Sequence, residues 1–192
     1  ATDFVWGTQR TCLWDDKYIF KASSTTNTRT GSFVMNVGDK TWLEPWQSPN
    51  GVEECGVPQA PFDGSTPDMR YEWDIEKGTL TLKGSRKVEG TDQEVATGVY
   101  IGLPRVANLL ENTGSPQKND VVYTIETASD EIITLNILSA GPSPWWHFEL
   151  QKMADVDLDD SVVDSGDSGD SGDSNDDGGS CGPSEVEVLS ID

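Results

Sequence analysis

Three groups of residues in this chain of 192 have the types and spacing for chemistry. The first is Glu72-Trp-Asp-Ile-Glu76, with carboxylates at three alternate positions. On a β-strand alternate side chains share a face and lie about 6.5 Å apart. Glu72, Asp74 and Glu76 would then offer the paired carboxylates that cleave glycosidic bonds, with Glu72 and Glu76 too distant to touch unless Asp74 mediates. The competing reading is a solvated strand face. It is preferred, because the chain shows no further acidic and aromatic strands from which to build an enclosing cleft, so no catalytic residue is assigned.

The second group is Asp173, Asn175 and Asp177, followed by Gly178. This is how a calcium loop of the D-x-[DN]-x-D-G type opens, and its hard oxygens suit that ion. Twelve positions on from Asp173 stands Ser184, with Glu185 one place late. A site here would be weak, or completed by other carboxylates; the default for so polar a stretch is a solvated linker.

The third group is aromatic. Sugars present apolar C–H faces that stack on exposed rings, while carboxylates and amides bind their hydroxyls. Trp42 and Trp46 flank Glu44-Pro45 and precede Gln47, and Trp145 stands beside Trp146-His147. Trp42, Glu44, Trp46, Gln47, Trp145 and His147 are therefore the candidate ligand-binding residues. The alternative is that the 41–47 loop folds over one end of the molecule as a hydrophobic plug. Trp14, Trp73 and Trp146 read as structural, Trp14 packing beside Cys12.

The elements that must position these groups are strands. Arg70 to Lys83 alternates apolar and polar residues on both sides of Glu76-Lys77-Gly78, which predicts a hairpin with Tyr71, Trp73, Ile75, Leu80 and Leu82 on its core face. Val121-Tyr123-Ile125 turning into Ile133-Leu135-Ile137 predicts a second hairpin over 120–138, and Trp146-Phe148-Leu150 continues the pattern. Lys17–Lys21 and Ser32–Met35 predict the first hairpin, and Ala96–Pro104 a strand whose two glycines signal a bend or close backbone approach. Residues 38–64 mix Trp, Pro, Gly and acids without a period and read as a long surface loop. Val106–Glu111 has room for a short helix. The fold expected is all-β: an antiparallel up-and-down barrel or sandwich of eight to ten strands with little helix.

Residues 1–153 form the expected domain, 154–180 an acidic Asp/Ser/Gly linker, and 181–192 a C-terminal strand or the start of a further module. The net charge of −21 disfavours nucleic acid, anionic membrane surfaces and polyanions. Much of it is local, since residues 153–192 hold 13 of the 34 acids and no Lys or Arg. No apolar run is long enough to span a membrane, and no leader is evident at Ala1. Of the three cysteines, Cys12 and Cys55 are expected to pair in an oxidising, extracellular setting, with buried free thiols as the alternative; Cys181 is left over.

The runs Cys12–Phe20, Thr41–Gln47, Cys55–Pro61, Gly78–Leu82 and Tyr100–Val106 together resemble the lipocalin-like β-domain that accompanies laminarinase-type glycoside hydrolases and surface polysaccharide-utilisation proteins of marine bacteria. The resemblance covers about residues 10–152 and implies a small non-catalytic β-barrel or sandwich. The chain departs from it in lacking an upstream Trp-bearing strand and in carrying Trp14 where Phe is usual. The expected function is an extracellular or cell-surface module that binds a β-glucan-type polysaccharide. The alternatives are a structural subunit of an extracellular assembly, self-associating through 181–192, and a laminarinase-type hydrolase.

Overall fold

The computed structural model describes residues 10–23, 27–103, 118–138, 145–153 and 186–191, with Trp145 and residues 186–191 described as backbone alone. The strands are β1 (Lys17–Ala22), β2 (Thr28–Asn36), β3 (Thr41–Leu43), β4 (Glu54–Gly56), β5 (Arg70–Asp74), β6 (Thr79–Leu82), β7 (Ser85–Lys87), β8 (Glu94–Ala96), β9 (Val121–Ala128), β10 (Ile132–Leu138), β11 (Trp145–Lys152) and β12 (Val186–Ile191). Val106–Glu111, suggested as a helix, lies outside the described residues.

Eight strands close a barrel in the order β1-β2-β5-β6-β9-β10-β11-β12, every pair antiparallel. The chain thus runs up and down around the ring. It leaves the ring for one inserted hairpin, β3–β4, between β2 and β5, and for another, β7–β8, between β6 and β9. These inserted strands, three residues each, raise the count above the ten expected. They are too short for an alternating pattern to show in sequence. Both insertions leave from the same end of the barrel, which we call the capped end; the tight turns 75–78 and 129–131 lie at the other.

Alternation puts the core inside the ring. Tyr18, Phe20, Phe33, Met35, Tyr71, Leu80, Leu82, Val121, Tyr123, Leu135, Phe148 and Leu150 are all buried. Phe20 packs edge-on against Tyr71 with centroids 5.0 Å apart. Gly78, at φ 62°, makes the β5–β6 reversal in the left-handed region that favours glycine. The expected faces hold for Tyr71, Leu80 and Leu82 but not at the turn. Ile75 is exposed, and Asp74 is buried with its carboxylate accepting from the Lys77 amide at 2.9 Å and from Lys77 Nζ at 2.6 Å. The strand ends at Asp74, so its two-residue period ends there too.

Two further expectations are corrected. Trp14, expected beside Cys12 in the interior, is 45% exposed, because the 3-10 turn Thr11–Leu13 directs Leu13 inward instead. The expected strand over 96–104 stops at Ala96. Beyond it Gly98 (φ 70°) and Gly102 (φ 74°) bend the backbone, and Thr97, Val99, Tyr100, Ile101 and Leu103 are all buried as an irregular segment. A single Cβ on Gly102 would lie 2.2 Å from Phe148 Cε1 on β11, so only glycine lets the segment lie against that wall.

Candidate functional site

Two tyrosines hold the 97–103 segment. Tyr18 on β1 accepts the Gly102 amide at 2.8 Å, and Tyr123 on β9 accepts the Ile101 amide at 2.8 Å while donating to the Ile101 carbonyl at 3.3 Å. Strands β1 and β9 are four apart in either direction around the ring of eight. A segment whose consecutive amides reach both must cross the lumen. Tyr100 adds a hydrogen bond from its hydroxyl to the Phe62 carbonyl, 3.2 Å away. Burial pushes all three phenols above their ordinary range, so they act here as neutral hydrogen-bonding groups. Beside them Asp16 is fully buried, accepts from Thr41 Oγ1 at 2.8 Å, and is pushed up to about 8, mainly by burial and further by Asp15, with the Thr41 and Tyr18 hydroxyls opposing. The lumen is thus packed with protein along this path.

The capped end takes the residues of the 41–47 loop. Trp42 is 7% exposed and belongs to the core; the Arg10 guanidinium sits over its ring, 4.7 Å from the centroid, and also pairs with Glu53. Glu44 and Gln47 are buried, Gln47 Oε1 accepting the Glu44 amide at 3.0 Å. Trp46 is half-buried and meets Phe62 edge-on at 5.0 Å. A disulfide joins Cys12 to Cys55, which stands opposite Trp42 in the β3–β4 pair. Trp42, Glu44 and Gln47 therefore sit within a cap, the plug arrangement, rather than on an open platform.

The strand residues of the same candidate set lie differently. His147 on β11 is exposed, and its Nδ1 lies 2.7 Å from Asn136 Oδ1 and 3.4 Å from Glu126 Oε2. Asn136 Nδ2 donates to Glu126 Oε2 at 3.0 Å. That donation leaves the amide oxygen facing His147, where an imidazole hydrogen on Nδ1 completes the contact. Asn136 stands directly opposite His147 in the β10–β11 pair. Glu126 reaches both through a register shift: Thr134 faces Thr127 and Leu135 faces Ile125, which leaves Glu126 as the extra residue of a bulge. Trp145 begins β11 opposite Leu138, itself 48% exposed; the Trp145 side chain is outside the described residues.

Asn136 and Glu126 were not singled out from the sequence. Each is one more polar residue on a solvated strand face, and the bulge that joins them to His147 depends on register. The three carboxylates of β5 and its turn are engaged separately. Lys83 lies 3.6 Å from Glu72, Lys77 holds Asp74 below its ordinary value by hydrogen bonding, and Asn27 Nδ2 donates to Glu76 at 2.9 Å. Asp173, Asn175, Asp177 and Cys181 lie outside the described residues. Among the described residues no helix is long and apolar enough to cross a membrane. Comparison with family models, with curated proteins and with solved structures returns no match to this chain.

Proposed function

We propose that this chain is a non-catalytic, extracellular glycan-binding β-barrel whose binding face is the outer surface of β9, β10 and β11. The observation that carries the reading is the exposed Glu126–Asn136–His147 cluster: a carboxylate, an amide and an imidazole held together on one sheet face by mutual polar contacts. Such groups bind sugar hydroxyls at small entropic cost when they are already fixed. Exposed Leu138, two residues along β10 from Asn136, puts apolar surface beside them, as a sugar's C–H face requires. A barrel packed across its lumen favours a ligand on its outside. The resemblance to the lipocalin-like β-domain of polysaccharide-utilisation proteins points to a β-glucan-type polymer. The separate engagement of Glu72, Asp74 and Glu76 supports a non-catalytic role, and the Cys12–Cys55 disulfide supports an oxidising compartment. In this reading the Asp173, Asn175 and Asp177 spacing offers calcium a weak site.

The test is a glycan array probed with the intact chain, with and without calcium. The reading expects selective signal on β-glucans, and an array with no bound glycan under either condition contradicts it.

A further inference from the structure

The strand β12 closes the ring. It pairs with β1 from Lys17↔Ser190 to Lys21↔Val186, and with β11 from Leu150↔Ile191 to Lys152↔Leu189. Without it β1 and β11 would present two open edges, each a row of unpaired backbone donors and acceptors. Leu189 faces Lys152, so Val186 begins β12 three residues further along, about 10 Å away. A hairpin turn of about two to five residues joins antiparallel neighbours. Here 33 residues, 153–185, connect β11 to β12.

We propose that β12 is an exchangeable strand: the slot between β1 and β11 takes Val186–Ile191 of a second copy of this chain as well as its own. In a reciprocal exchange each barrel keeps the same eight strands and the same registers, so packing and hydrogen bonds cancel between the two forms. What separates them is the tether. A connection of this length delivers its strand at an effective concentration on the order of millimolar. Residues 153–185 hold 11 acids and no Lys or Arg, and mutual repulsion lowers that value further. Exchange then competes wherever copies are crowded, and the linked barrels form dimers or open chains. This inference rests on strand register and tether length, independently of glycan binding.

The test uses the full chain with Cys181→Ser in every sample. One population carries Lys17→Cys, a second Ser190→Cys, and a control carries both, since these two positions are partners across β1 and β12. A short bis-maleimide should cross-link the control within one chain. In the mixture it should produce dimers containing one chain of each kind, their fraction rising about tenfold for each tenfold rise in dilute chain concentration. Internal cross-linking in the control with no mixed dimer up to millimolar chain overturns the proposal. So does a control that fails to cross-link internally, because β12 would then not occupy the slot.

Discussion

Tyr18 and Tyr123 stand on opposite walls of the barrel and hold consecutive peptide groups between them, Gly102 to Tyr18 and Ile101 to Tyr123, each at 2.8 Å. The lumen is thereby crossed by the protein's own backbone. Tyr18→Phe or Tyr123→Phe leaves a buried amide without its acceptor. Each should destabilise the fold by about 1–3 kcal/mol in urea unfolding, and wild-type stability in both variants would show that the clasp contributes nothing.

Gly102→Ala should be more severe than either. The added methyl meets Phe148 and the residue is held at φ 74°, so strain and overpacking combine to about 2–4 kcal/mol. A thermal melt checks this, and an unchanged midpoint would mean that the segment does not lie against β11.

Asp16 makes stability fall with rising pH. Its folded value of about 8 exceeds the unfolded value of 3.8, so the folded chain binds the extra proton between them. The contribution is fully present below about 4 and lost as pH rises through about 8. Asp16→Asn removes the titration. Between pH 5 and 9 the wild type should lose on the order of 4 kcal/mol relative to the variant. Parallel pH profiles for the two proteins would contradict the burial of this carboxyl.

The Cys12–Cys55 bond closes a loop of sequence separation 43 and should contribute about 4 kcal/mol through the unfolded chain. Cys12→Ser with Cys55→Ser should lower the urea midpoint accordingly. No change would place the stability of the capped end in its packing alone.

The hairpins at 70–83 and 120–138 were legible because a strand with one wet face writes a two-residue period into its sequence. The same rule failed at Ile75, where the strand had already become a turn. It also failed at 97–103, whose apolar run looks like a strand but is wrapped by the barrel instead of pairing within it. Gly98 and Gly102 marked the close approach without saying what was approached. Trp42 and Trp46 were conspicuous as rings, yet burial of the 41–47 loop depends on tertiary packing that no local pattern records. His147 was legible as a polar residue beside Trp145 and Trp146. Its partners were not, because a bulge at Glu126 sets which side chains meet across β9, β10 and β11.

The central claim is a binding face on the outer strands, with the tryptophan loop as structure. Calorimetry with soluble β-glucan oligosaccharides, paired with thermal melts, tests it most directly. Asn136→Ala and His147→Ala should each weaken binding about tenfold at an unchanged melting temperature, a loss of about 1.4 kcal/mol. Trp42→Ala should melt early, as loss of a large buried ring requires. Undiminished affinity in both strand variants, or a Trp42→Ala protein that melts normally and no longer binds, would contradict the account.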